Sequence, residues 1–329
     1  MSVSVIIVNW NSGALLTKCL EHLQLQTISP TRVFVIDNAS SDDSASNAEA
    51  FANVTLIRMV SNHGFAGGNN AAIAQSDTEF VAVLNPDAFP ERDWLQSLLV
   101  AASTLPEVAA FGCRQLRDGA PNVLDGIGDS YHFSGSVWRD RHGAQQEERD
   151  LISREIFSPC AAAALYRRQA LLDAGGFDED YFCYLEDVDL GFRLRLAGHK
   201  AVYVPNAVVH HVGSATTGGQ HSDFSVYHGH RNVVWTYIKN MPGLLFWFCL
   251  PLHIAANIYI VVRYALKGRW RVILKAKRDA IKGIPGMWRK RSLIQAQRKA
   301  SVSDIWQILD ARVWPSRLYG ALRREMSAK

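Results

Sequence analysis

Five short apolar runs recur in the first 112 residues, at 3–8, 32–37, 54–59, 80–84 and 108–112. Segments with helical spacing separate them, at 15–25, from a start at 40–43, at 66–75 and at 94–102. Runs of five or six residues have strand length, and strands alternating with helices form a parallel sheet with helices on its faces. Residues 114–152 break this rhythm: they are rich in Gly, Asp and Arg and read as loops or small hairpins. The pattern resumes with a strand at 160–166, helices at 168–174 and 186–197, and strands at 201–204 and 207–210. No internal repeat is visible.

A chain of 329 residues, 48% hydrophobic and 20% charged, is long enough for one large domain or two and has a globular composition. Cys19, Cys113, Cys160, Cys183 and Cys249 are scattered and odd in number, with no Cys-x-x-Cys pair. They outline neither a metal nor a redox framework, and a reducing compartment is the simpler expectation. Met1-Ser2-Val3-Ser4-Val5 leads straight into a strand, so no cleaved signal is expected.

The net charge of +4 hides an asymmetry: residues 267–299 hold twelve Lys or Arg against one acid, Asp279. This basic stretch follows the most apolar segment, 241–265, and that order suits an anionic membrane surface better than nucleic acid. Twenty helical residues cover about 30 Å, enough to cross a bilayer. Pro251, His253 and Asn257 interrupt the run, however, and a single crossing would part the basic stretch from a nucleotide-using N-terminal domain. An in-plane or re-entrant helix fits both flanks, with a buried core helix of a small second domain as the alternative.

Polar phrases sit where the strands end: Val8-Asn9-Trp10-Asn11, Ile36-Asp37-Asn38-Ala39-Ser40, Asn62-His63-Gly64-Phe65-Ala66-Gly67-Gly68-Asn69-Asn70 and Asn85-Pro86-Asp87. The rim at the strand ends of an open α/β sheet is where ligands bind. Asp37 is suited to accept the imide N–H of uracil or thymine. Gly64, Gly67 and Gly68 let backbone approach a ligand, and amides at a helix start favour anions. Each phrase alone is also ordinary turn and cap chemistry. The Gly phrase is neither a Walker loop nor a Gly-x-Gly-x-x-Gly fingerprint. A second acidic cluster, Glu186-Asp187-Val188-Asp189, opens a helix about a hundred residues later, where acids also complement the helix dipole.

In this order, and with Tyr184-Leu185-Glu186-Asp187-Val188-Asp189-Leu190, the phrases resemble the family 2 glycosyltransferases, inverting enzymes of the GT-A fold. The likeness is strongest to bacterial rhamnosyltransferase-like members that build cell-surface polysaccharides, and it covers about residues 3–240. It implies a GT-A domain over 1–240, a mostly parallel α/β sheet with helices on both faces. A helical, membrane-associating region would follow over 241–329. It further implies that Asp187 is the catalytic base, with Glu186 orienting it or an acceptor hydroxyl. Asn9, Asp37, Asn62, Gly64, Asn70, Asn85, Asp87 and Glu186 would contact substrate, and Asp87 with His211 would hold Mg²⁺ or Mn²⁺. His211 is preferred over His210 on its spacing to Ser214-Ala215-Thr216. Asn85 stands where the family's Asp-x-Asp motif has its first acid, which leaves one carboxylate for the ion.

The implied partners are a dTDP- or UDP-linked donor of a deoxysugar such as L-rhamnose, a lipid-linked saccharide acceptor, and the inner leaflet of the membrane. The protein would sit on the cytoplasmic face of the inner (plasma) membrane, peripheral or monotopic. Nucleic acid is not an expected partner. Two rivals remain. A sugar-1-phosphate nucleotidyltransferase would need a basic Gly-rich loop after the first strand, where this chain has Asn9-Trp10-Asn11-Ser12-Gly13. A non-catalytic membrane-bound partner of the same fold draws support from Asn85.

Overall fold

The computed structural model describes residues 1–213 and 222–312. The expected relation of His211 to Ser214-Ala215-Thr216 therefore lies outside the described residues. The N-terminal elements follow the alternation of the sequence: β1 (Val3–Asn9), α1 (Ala14–Gln24), β2 (Arg32–Asp37), α2 (Ser44–Ala48), β3 (Val54–Arg58), α3 (Gly64–Gln75) and β4 (Phe80–Leu84). After these come β5 (Ala88–Pro90), α4 (Trp94–Thr104), β6 (Val108–Arg117), β7 (Ala120–Gly126), β8 (Asp129–Tyr131), β9 (Val137–Arg139), β10 (Arg154–Glu155) and β11 (Ala163–Arg167). The chain continues through α5 (Arg168–Asp173), α6 (Glu186–Leu196) and β12 (Lys200–His211) into α7 (Asp223–Asn240), α8 (Gly243–Leu266), α9 (Trp270–Ala296) and α10 (Val302–Ile308).

The main sheet has the order β10-β12-β6-β11-β4-β1-β2-β3, with β5 on β12 and β7 on β6. Strands β3, β2, β1 and β4 are parallel neighbours. β11 runs antiparallel to both β4 and β6, so those two share a direction, and β12 is parallel to β6. The carboxyl ends of β1, β2, β3, β4, β6 and β12 therefore meet at one rim. Alternation along the strands feeds a core on each face. Val3, Val5 and Ile7 join α1 and α4 on one side; Ile6, Phe34, Ile36, Val81 and Val83 join α3, α5 and α6 on the other. In α1 the buried residues Leu16, Cys19, Leu20 and Leu23 fall at the three- and four-residue spacing that puts them on one helix face.

Three details depart from the sequence reading. The strands expected at 201–204 and 207–210 are one strand, β12, whose register shifts between Val204 and Val208 around Pro205. Proline lacks the donor a central ladder needs, and a bulge accommodates it. Helix α2 starts at Ser44, not near Ser40, because Ser40, Ser41 and Asp42 bond the β1–α1 turn. The hairpins expected within 114–152 are β7 and the β8–β9 pair, but the first of them continues the main sheet beside β6.

The composition shift at residue 241 is real, yet the region beyond it shares a core with what precedes. Tyr131, Phe157, Tyr181, Val188 and Phe192 form one cluster with Trp235, Tyr237, Phe246, Ala280 and Met287. Within it lies a buried ion network: Lys239, 1% exposed at its side chain, is 2.5 Å from Asp178 and 2.7 Å from Asp189. Lys290 of α9 reaches Asp178 and Asp180 at 2.5 and 2.7 Å. Helix α8 is not a buried core helix. Phe246, Cys249 and His253 face inward, while Leu244 (81%), Phe248 (76%) and Leu266 (84%) are largely exposed. Among the described residues it is the one helix long and apolar enough to cross a membrane, by length and composition.

Removing Lys239 leaves Asp178 and Asp189 buried without their shared cation. Lys239→Met is expected to cost about 3–5 kcal/mol, the range for breaking a buried ion pair from one side. Urea denaturation at fixed pH reads this as a lower midpoint; an unchanged midpoint would show that the network is stability-neutral.

Candidate active site

The rim begins with Asn9 at the end of β1, fully buried, whose Nδ2 donates to Asp37 Oδ1 (3.3 Å), Ser40 Oγ (3.1 Å) and Ser44 Oγ (2.9 Å). This fixes Asp37, which also accepts from the Ser40 amide at 3.2 Å. Asn38 ties in the next loop, donating to Gly64 O at 2.8 Å and accepting from the His63 amide at 3.1 Å. Asn62 Oδ1 takes the Gly64 amide at 2.8 Å. Gly64 has φ +71°, and a Cβ there would stand 2.3 Å from the Phe182 carbonyl oxygen. Only glycine meets both demands. The Gly phrase thus seats the β3–α3 loop against the loop that precedes α6, an arrangement the Ala66 N–H to Phe182 O bond (3.2 Å) extends.

Asn70, from the same phrase, bonds within the protein. Its Nδ2 donates to Phe177 O (2.8 Å) and Glu179 Oε1 (2.9 Å), and its Oδ1 accepts from the Phe177 amide (2.9 Å). That side chain staples α3 to the 177–179 turn.

Past β4, the chain turns at Asn85-Pro86-Asp87 into β5, which pairs with the end of β12 and sets Ala88 opposite His211. Asp87 Oδ2 accepts from the Gly213 amide at 3.1 Å, and Oδ1 lies 3.3 Å from His211 Nε2. On its other side, His211 Nδ1 donates to Asp125 Oδ2 at 2.8 Å. Asp125 is gripped in turn by Arg139 at 2.5 Å. His210, pointing the opposite way, meets Glu91 at 3.0 Å. Burial alone would lower the His211 pKa, but its bond to Asp125 and the proximity of Asp87 raise it to about 9. Burial opposes charge on Asp125 as well, and Arg139, His142 and His211 nevertheless hold its carboxyl well below the usual range.

These residues fit a divalent cation. His211 Nε2 is buried and lacks a hydrogen bond of good geometry, yet it faces a carboxylate oxygen at 3.3 Å. A hard oxygen and an imidazole nitrogen at that separation suit one shared ion. Asp125, accepting from the other ring nitrogen, supplies the carboxylate that orients such a ligand. Asn85 is half-buried beside them, and its amide N–H is bonded to Ala162 O at 2.8 Å.

Asp187, in the first turn of α6, stands on the same rim. Its Oδ2 accepts from the Ala161 amide (3.0 Å) and its Oδ1 from Val188 (2.8 Å). Burial raises its pKa, with the Ala161 amide and Arg139 opposing. Asp129, Cys160 and Asp187 bring ligand atoms within 4.8 Å of one another. Burial and the adjacent Asp187 push the Glu186 carboxyl well above its ordinary value. The loop before α6 holds Phe182, Tyr184 and Leu185 at φ +64°, +65° and +68°. Strained, non-glycine positions cluster at functional sites.

The sequence reading missed Asp125, Arg139 and Asp129. All three lie in the segment that broke the strand rhythm, where Asp125-Gly126-Ile127-Gly128-Asp129, two acids among glycines, was the available signal.

The profile of the family described as Glycosyl transferase family 2 matches residues 4–174. The chain is 31% identical over 300 residues to the N-acetylglucosaminyl-diphospho-decaprenol L-rhamnosyltransferase of Mycobacterium tuberculosis, covering 82% of this chain and 96% of that one. It is 29% identical over 217 residues to the O-antigen chain rhamnosyltransferase RfbN of Salmonella typhimurium, covering 64% and 66%. Among solved structures it is similar to the mannosyltransferase PcManGT from Pyrobaculum calidifontis in complex with GDP-Man and Mn²⁺, with a TM-score of 0.54, 19% identity and coverage of 93% and 87%. It is also similar to S. aureus TarS 1-349, with a TM-score of 0.55, 16% identity and coverage of 92% and 89%. At these identities the structures establish the fold, GT-A.

Asp125→Asn keeps the shape of the His211 partner and removes its charge. With divalent ions chelated, NMR titration should show the His211 pKa falling from about 9 toward or below the ordinary imidazole value. A value still near 9 would mean that Asp87 alone supports the imidazolium.

Proposed function

The chain belongs to glycosyl transferase family 2, and on that premise we propose that it transfers a sugar from a nucleoside diphosphate sugar to a lipid-linked saccharide, inverting the anomeric centre. The observation that carries this reading is the convergence on one rim of the Asp87–His211 pair and an Asp187 of raised proton affinity. A carboxylate whose pKa is lifted toward neutrality is a better general base than an ordinary one.

The donor base lies at Asp37, which Asn9 and the Ser40 amide hold in place to accept a pyrimidine imide N–H. Asn62 and Gly64 shape the neighbouring wall. Asp87 and His211 would hold Mg²⁺ or Mn²⁺, which supplies charge neutralisation for the departing diphosphate. Asp187 accepts the proton of the acceptor hydroxyl as that oxygen attacks from the face opposite the leaving group, with the Ala161 N–H fixing the carboxylate. Glu186, its proton affinity raised by burial, has an Oε2 without a hydrogen-bond partner and is poised to orient Asp187 or an acceptor hydroxyl. A dTDP-linked deoxysugar such as L-rhamnose is the first-choice donor, supported by the rhamnosyltransferase relatives. A non-catalytic role draws only on Asn85, and His211 supplies an ion ligand that Asn85 does not.

The C-terminal helices place the enzyme at its acceptor. Helix α8 lies along α7: the Tyr237 ring meets Phe246 at 5.4 Å and stacks on His253 at 4.0 Å, and His230 meets Tyr264 at 5.0 Å. Contacts near both ends favour a helix lying in the membrane plane over one crossing it. Its outward face, with Leu244, Trp247, Phe248, Ile254 and Ile258, is apolar, and α9 supplies the basic residues. We read residues 1–240 as the catalytic domain and 241–329 as a region that docks on the cytoplasmic face of the plasma membrane.

Asp187→Asn should lower transfer about 10²–10⁴-fold while pyrimidine nucleotide binding persists. The acidic limb of the wild-type kcat/KM profile should lie above the ordinary Asp range, since protonation of a raised group disables the base as pH falls. Transfer by the variant within tenfold of wild type would sink the assignment. In a thermal-shift panel of nucleotide sugars, a pyrimidine-linked donor at a hundred times its Kd should stabilise by about 2.7 kcal/mol. Response only to guanosine-linked sugars would overturn the donor reading.

Leu244→Glu with Phe248→Glu should weaken flotation with vesicles containing anionic lipid and leave donor binding unchanged. High salt should weaken wild-type attachment without abolishing it, because only the basic part is screened. Unaltered flotation by the double variant would place the contact elsewhere.

A further inference from the structure

We propose that Asn232 on α7 is a positioning residue for the general base: its buried amide holds the strained loop before α6 and thereby sets where Asp187 points. The proposal rests on the reading of Asp187 as the base. Asn232 is fully buried, and its Nδ2 reaches three carbonyl oxygens of that loop: Tyr181 (3.1 Å), Cys183 (2.9 Å) and Tyr184 (2.7 Å). An amide nitrogen carries two N–H groups, so the three carbonyls share them. Asn232 Oδ1 accepts from Arg231 Nε at 2.9 Å, and Arg231 Nη2 in turn donates to Asp180 O and Tyr181 O at 3.0 and 2.8 Å.

The loop needs this grip. Phe182, Tyr184 and Leu185 all carry Cβ atoms at positive φ, and Leu185 is the residue directly before α6. A chain segment with three such residues relaxes unless its surroundings over-determine it. The same conformations turn the Tyr181, Cys183 and Tyr184 carbonyls toward one point, and that point is the Asn232 amide. Relaxation would carry Glu186 and Asp187 with it, since the first turn of α6 follows without an intervening residue. On the far side, the Phe182 carbonyl takes the Ala66 amide, so the loop also keeps the base in register with the donor-binding rim.

The test uses full-length protein in detergent or lipid. Asn232→Ala should lower kcat about 10²-fold, the scale of a 1 Å misplacement of a reacting group. The donor KM should stay within about threefold, because the clamp acts after donor binding. Adding Tyr184→Gly, which takes positive φ without a Cβ penalty, should restore at least about tenfold of that loss. Where Asn232→Ala does not fold, Asn232→Asp, of the same shape but lacking the donors, should show the same drop in kcat. A folded Asn232 variant with kcat within threefold of wild type, or no recovery with Tyr184→Gly, overturns the proposal. Asp187→Asn run alongside separates the two readings. Its retention of activity would remove the base itself, whereas an inactive Asp187→Asn beside a fully active Asn232→Ala removes only the clamp.

Discussion

The guanidinium of Arg139 lies 2.5 Å from Asp125, with Asp129 and Asp187 near enough to raise its proton affinity against the burial that lowers it. Three carboxyl groups could not share this part of the rim without a cation among them, since like charges in a poorly solvated place drive one another to protonate. Arg139 gets there by passing over Gly126, where a Cβ would stand 2.3 Å from its side chain. Its direct bond goes to Asp125, not Asp187. Asp125 stays charged and steers His211, while Asp187 keeps enough desolvation to hold its pKa up. One counter-charge thus separates two acids, a charged carboxylate that orients His211 and, in the proposed mechanism, a base.

The C-terminal helices belong to this arrangement rather than to an appended anchor. Helix α7 packs on α6 and on α9, and the Asp178–Lys239–Asp189 network ties the three together. A buried network of this kind is costly to break from one side, so the helix that carries Asp187 and the C-terminal helices are ordered together. The inward residues of α8 serve that cluster, and the outward ones remain available to lipid.

The first half of the fold was legible because its signals are local. Strands β1 to β4 are continuous apolar runs, and the phrases that follow them name the rim. Asn9, Asp37, Asp87 and His211 fall on that rim, and alternation along β12 parts His210 from His211. Residues whose role depends on a distant partner were not legible. Asp125 meets His211 across 86 positions, and Asn232 meets Tyr184 across 48. No periodicity encodes such pairs. Asn70 shows the same limit: nothing in its phrase announces the bond to the 177–179 turn, 107 positions away. The composition break at 241 was visible, but the return of α9 onto α7 was not, because packing of a basic helix through Ala280 and Met287 leaves only a few small apolar marks in the sequence.

The central claim is a single displacement at the rim shared by Asp37, Asp87, His211 and Asp187. Its most direct measurement is the anomeric configuration of the product, read by NMR after transfer from dTDP-L-rhamnose to a lipid-linked saccharide. One displacement with Asp187 as base predicts a new linkage of anomeric configuration opposite to that of the donor. A product that retains the donor configuration would require a second displacement and would contradict the account.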